Sequence, residues 1–153
     1  ISCGACINGC KKLSVGALSF ENYKVVRNTE KCIGCGVCVT KCPTRAWTRS
    51  KEKYYKLSIM GRTGKKNPRL GQDFLIWADE ESIKKIILNT YKFADKYISP
   101  DAPARKEHIG YIIDRVGFEE YKKWALDGVE LGPKVIKKDC VYWGGIHFNS
   151  NNN

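Results

Sequence analysis

Apolar positions in the first third of the chain come in short runs broken by cysteine and glycine, whereas from Tyr54 onward they fall into regular periods. Residues 17–26 (ALSFENYKVV) alternate apolar and polar positions on either side of Glu21 and Asn22, which predicts a β-hairpin. Residues 54–60 and 74–77 read as two further strands. Asp79 then reads as the N-cap of a helix running to about Ile98, with Ile83, Ile86, Ile87, Tyr91, Ala94 and Ile98 as its apolar stripe and Ser99-Pro100 as its stop. Shorter helical patterns follow at 106–115 and 118–126, the second closed by Gly128. Short strands are expected within 135–148, and the polar run 149–153 is expected to be disordered. Local pattern thus predicts an α+β chain.

Cysteine placement turns this outline toward chemistry. Of the eight cysteines, seven lie within the first 42 residues, and the last is Cys140. Disulfide frameworks staple a whole chain, whereas metal sites gather their ligands, so a reducing, cytoplasmic setting is expected. Cys32, Cys35, Cys38 and Cys42-Pro43 form the C-x2-C-x2-C-x3-C-P run that holds cubane iron–sulfur clusters, the fourth cysteine serving a second cluster. Gly34 and Gly36 let backbone amides approach inorganic sulfide.

Shifted by 32 residues, Cys3-Gly4-Ala5-Cys6 and Cys10 fall on Cys35-Gly36-Val37-Cys38 and Cys42, an internal repeat. Crossed ligation then gives one cubane Cys32, Cys35, Cys38 and Cys10. The other receives Cys3, Cys6, Cys42 and a cysteine expected immediately before Ile1 in a longer parent chain. Zinc is the competing ligand, but its knuckles come as separated pairs, not three cysteines at successive two-residue gaps. Cys140 has no partner at ligand spacing and reads as a plain thiol. Residues 1–47 resemble the two-cluster bacterial ferredoxins.

Charge adds a second site. Residues 1–47 hold seven Lys/Arg against two acids, residues 48–72 eight against one, and residues 73–153 twelve against thirteen. The net +11 therefore sits on the cysteine module and in one 25-residue stretch that contains the loop 61–71. Three glycines and the cations Arg62, Lys65, Lys66 and Arg69 in that loop suit a polyanion. The Gly-Lys-Lys lacks the P-loop pattern, and no recognition module supports nucleic-acid binding. No apolar run approaches the roughly 20 residues a membrane helix needs. His108 and His147 are isolated and read as structural.

Several segments carry a resemblance beyond the ferredoxin. The cysteine repeat, residues 42–50 (CPTRAWTRS), the loop 60–70 (MGRTGKKNPRL), the helix at 82–90, residues 107–111 (EHIGY) and 142–147 (YWGGIH) occur in an order that closely resembles the C-terminal half of the catalytic subunits of the anaerobic sulfite reductase family. That family belongs to the sirohaem-dependent sulfite and nitrite reductases and carries an inserted ferredoxin domain. The resemblance implies a ferredoxin module over 1–47, with two 4Fe-4S clusters, followed by the end of a sulfite/nitrite-reductase-like α+β domain over 48–148. It implies that Arg62, Lys65, Lys66 and Arg69 face sirohaem carboxylates or the substrate anion, and that sulfite is reduced to sulfide by six electrons. A flavin/NADH-linked donor subunit and a further iron–sulfur subunit are the implied partners. The sirohaem-coupled cubane would need cysteines upstream, since none here is free to hold it. Two alternatives stay open: an electron-transfer component of another oxidoreductase, and a nitrite reductase of the same superfamily.

Overall fold

A computed structural model describes residues 2–63, 68–102 and 107–139. Lys65, Lys66, Cys140, His147, the segment 142–147 and the tail 149–153 therefore lie outside the described residues. The chain divides into two compact units between Glu52 and Lys53.

In the first unit, helix α1 (Ala5–Lys12) brings Cys6 and Cys10, one turn apart, to a buried face and ends on Lys11 and Lys12. Those cations suit the negative end of the helix dipole. Strands β1 (Leu18–Glu21) and β2 (Lys24–Arg27) pair antiparallel, Glu21 opposite Lys24, so the hairpin turns at Asn22-Tyr23, one residue later than the sequence pattern suggests. Both turn residues have positive φ, 46° and 60°, as a tight hairpin of this hand requires. A single helical turn, α2 (Val37–Thr40), follows. Cys6, Cys10, Ala17 and Leu18 form the small core, with Ile7, Val15, Val25, Cys32, Cys38 and Trp47 packed around it.

The second unit has its own sheet and core. Strands β3 (Tyr55–Ile59) and β4 (Gln72–Ala78) pair antiparallel with register shifts between Tyr55 and Ser58, and β4 pairs on its other edge with β5 (Ile136–Lys137). Central β4 buries Phe74, Leu75, Ile76 and Ala78. Helix α3 (Glu80–Tyr97) is capped by Asp79, whose carboxylate accepts from the Ser82 amide at 2.9 Å and the Ser82 hydroxyl at 2.9 Å. Helices α4 (Ile109–Val116) and α5 (Phe118–Ala125) pack against it and meet at Gly117. Phe74, Phe93, Phe118 and Tyr121 interlock at the centre, with Phe93 and Tyr121 edge to face at 5.2 Å.

The face that α3 buries overlaps the stripe read in the sequence only in part: Ile86 is core and Ile83 and Ala94 pack against it. Ser82, Ile86, Asn89 and Phe93 are buried, whereas Ile87, Leu88, Tyr91 and Ile98 are exposed, Tyr91 at 72%. Two polar side chains cause the rotation. Ser82 donates to the Glu130 carbonyl at 3.1 Å, and the Asn89 amide donates to the Ala125 and Asp127 carbonyls at 3.3 and 2.9 Å. Their hydrogen bonds satisfy them inside, so hydropathy alone misplaces one edge of the helix face. The helix expected at 106–115 is α4, and it begins at Ile109 behind a His108 cap.

Candidate functional site

The repeat seen in the cysteine spacing is a repeat of backbone geometry. Gly4 and Gly36 stand at the same position before α1 and α2, and both are left-handed, with φ 69° and ψ 2° against φ 75° and ψ 7°. Only glycine adopts this conformation without strain, and it turns the backbone between the two cysteines of each Cys-x-x-Cys pair. Two sulfurs accept backbone amides: Cys10 Sγ from Ala17 at 3.2 Å and Cys42 Sγ from Ala46 at 3.2 Å. Such N–H···S bonds suit thiolates that carry charge to a cluster.

The seven cysteines from Cys3 to Cys42 are free thiols. Burial first, and then the charges of Cys32 and Cys35, push the Cys38 thiol up. Cys42 is drawn down to about 7, first by a hydrogen bond to Thr44 and then by the Trp47 and Ala46 backbone. Among the described residues, no three Cys, His, Asp or Glu side chains stand together as a finished ligand set. Cys3 and Cys35 face solvent, whereas Cys6 and Cys10 are buried. The donor chemistry, all thiols in a glycine-capped repeat with amides aimed at sulfur, fits cubane clusters.

In the second unit the base of the basic loop is a two-residue ladder. Arg62 and Arg69 exchange both backbone hydrogen bonds at 2.8 Å. Their side chains meet α4. Arg69 binds Asp114 through both terminal nitrogens, at 2.5 and 2.7 Å, and also reaches the Gly110 carbonyl at 3.3 Å and the Met60 sulfur at 3.7 Å. The side chains of Arg69 and Asp114 are 15% and 27% exposed, so the fork is committed to a half-buried carboxylate. A Cβ on Gly110 would press to 3.2 Å from Arg69 Nη1 and from the Met60 carbonyl, so loop and helix approach closely there. Arg62 donates to the Tyr111 hydroxyl at 2.7 Å and lies 5.5 Å from that ring's centre. Its observed partner is neutral, so its positive charge is retained.

The sequence assigns Arg62 and Arg69 one role, but the structure separates them: Asp114 holds Arg69, while Arg62 rests on a phenol. Lys65 and Lys66 lie outside the described residues. Sequence pattern gives Tyr111 and Asp114 no role of their own, yet both bond the arginines from α4, far along the chain, and His108, read as structural, caps that helix. Only the juxtaposition of loop and helix reveals them. His108 accepts from the Gly110 amide through Nδ1 at 3.2 Å. Burial first, and then the charges of Arg62 and Arg69, hold it below its ordinary pKa, so it is neutral at pH 7.

Residues 1–16 and 25–48 each match a 4Fe-4S binding domain, so the first unit places the chain among cubane-binding iron–sulfur proteins. Residues 44–132 match the nitrite and sulphite reductase 4Fe-4S domain, more than half of the chain. The chain belongs to that family. Two curated relatives, the C subunits of anaerobic sulfite reductase from Salmonella typhimurium (strain LT2) and from Salmonella typhi, are each 41% identical to it over 143 residues. Each alignment covers 94% of this chain and 42% of the relative, so the chain spans about two fifths of the length of the curated relatives it matches.

Proposed function

We propose that this chain is the electron-input end and one wall of the sirohaem pocket of a sulfite reductase, which reduces sulfite to sulfide with six electrons. The observation that carries the reading is the match to the Salmonella anaerobic sulfite reductase subunits, which runs through both units at 41% identity. Cys32, Cys35, Cys38 and Cys10 hold one cubane, and Cys3, Cys6 and Cys42 hold a second with one further ligand. Bound cubanes supply one-electron steps at low potential. The chain's own part is to fix the sulfurs on and beside two glycine-capped helices and to aim amides at those of Cys10 and Cys42.

In the second unit, Arg62, Lys65 and Lys66 face the anion, whether macrocycle carboxylate or sulfite. Arg69 supports them from its bond to Asp114 and so holds the loop base rigid. Arg62 offers charge-assisted hydrogen bonds to an oxyanion, which strengthen as negative charge develops. Tyr111 sets the direction of its guanidinium. Electrons arrive from a flavin/NADH-linked donor subunit by way of a further iron–sulfur subunit, in the cytoplasm.

The test is an anaerobic optical spectrum with iron, sulfide and zinc analysis on the full-length native protein. Sirohaem bands with iron for three cubanes are expected, the third being the cluster coupled to the macrocycle. Iron for two cubanes without a macrocycle would leave an electron-transfer protein instead.

A further inference from the structure

The two halves of the cysteine repeat are not electrically equivalent. A Cβ built on Gly36 would fall closest to Nη2 of Arg49, 2.6 Å from its central guanidinium carbon and 3.0 Å from Nη1, so the cation of Arg49 is seated against the Gly36 turn. At Gly4, its counterpart in the first half, the same construction meets nothing within 4 Å. The 32-residue shift puts Ala17 where Arg49 stands, and Ala17 is a neutral residue buried in the small core. Arg49 is solvent-exposed, as are Lys11, Lys12, Lys31, Lys41 and Arg45; what marks it is its seat on the Gly36 turn.

We propose that Arg49 sets the two cubanes apart in potential, making the cube held by Cys32, Cys35 and Cys38 the easier one to reduce. The inference rests on the two-cubane reading above. Reduction adds one electron, and so one negative charge, to the cube and its thiolates, with no bond broken and no proton needed. A guanidinium against the ligand turn stabilises that added charge more than the oxidised state. In the other half no group is seated on the Gly4 turn, so that half lacks this stabilisation. Electrons entering through the pair therefore settle on the Arg49 side, which gives the wire a direction.

The experiment is a dithionite redox titration followed by EPR on the native full-length protein and on Arg49→Gln and Arg49→Lys, after iron and sulfide analysis of each. Arg49→Gln should make one cube roughly tenfold harder to reduce, about 59 mV for a one-electron couple, and leave the other where it was. Arg49→Lys, which keeps the charge, should retain most of the native separation. If Arg49→Gln fails to hold iron, Arg49→Met replaces it as a neutral chain of similar length. Unchanged potentials in the neutral variant, an equal shift of both cubes, or an equal shift in the Lys and Gln variants would overturn the role of Arg49. Iron for fewer than two cubanes in the native protein would defeat the two-cubane reading itself, and with it this inference.

Discussion

Arg62 and Arg69 share one backbone bridge, yet their guanidinium groups end in different chemistry, and substitution should separate them. Asp114→Asn removes the carboxylate from a pair that is less than one third exposed and leaves Arg69 half-buried with a neutral partner. A loss of about 2 kcal/mol in urea-unfolding stability is expected. Arg62→Ala loses only a bond to a phenol and a cation over its ring, so its stability cost should stay below about 1 kcal/mol. Its expected effect is weaker sirohaem retention at unchanged cubane iron, read from the optical spectrum and iron content; unchanged sirohaem would remove Arg62 from the pocket. His108 gives a third residue-scale prediction. Its folded pKa lies below the ordinary value of 6.5, so as pH falls below about 6.5 the unfolded chain takes up a proton that the folded chain refuses. Stability should therefore fall with pH from there down to the folded pKa. His108→Asn keeps a cap for α4 and should flatten that slope in unfolding curves at pH 5 to 7. A slope equal to the native one would mean that other groups produce it.

At the scale of elements, α3 shows where pattern reading succeeds and where it stops. Its cap at Asp79 and its end near Ser99 were legible, because a capping carboxylate and a proline act locally. Its buried face was legible only in part: Ile83, Ile86 and Ala94 meet the core as expected, but Asn89 and Ser82 are polar and their partners are carbonyls 36 to 48 residues away. The two faces of the helix make opposite predictions. Asn89→Ala frees two carbonyls beside the end of α5 and should cost about 2 kcal/mol in urea unfolding. Tyr91→Ser, at a position the apolar stripe marks as core, should change stability by less than about 0.5 kcal/mol. A costly Tyr91→Ser would restore the sequence-derived face. The cysteine repeat was legible for the opposite reason: its ligand spacing and its glycines are themselves the local geometry, so a 32-residue shift in sequence became a pair of matching left-handed caps. Arg49 and Asp114 carried no such signal, since their meaning depends on what the fold brings to them.

At the scale of the whole molecule, the two units rest on different kinds of core. The second buries Phe74, Leu75, Ile86, Phe93, Ile112, Ile113 and Tyr121 in one cluster that, among the described residues, contains no thiol. The hydrophobic cluster of the first, among the described residues, is Cys6, Cys10, Ala17 and Leu18, and half of those are proposed ligands. A unit of about 50 residues with so small a core needs a metal or covalent staple to stay folded. Iron removal should therefore act on one unit and spare the other. Anaerobic treatment of the native protein with a strong iron chelator should abolish one thermal transition and leave a second. The helical circular dichroism contributed by α3, α4 and α5 should persist through that loss. If both transitions disappear together, the second unit depends on the clusters for its fold. If neither does, the hairpin and α1 hold the first unit without iron, and its cysteines are organised before any cluster arrives.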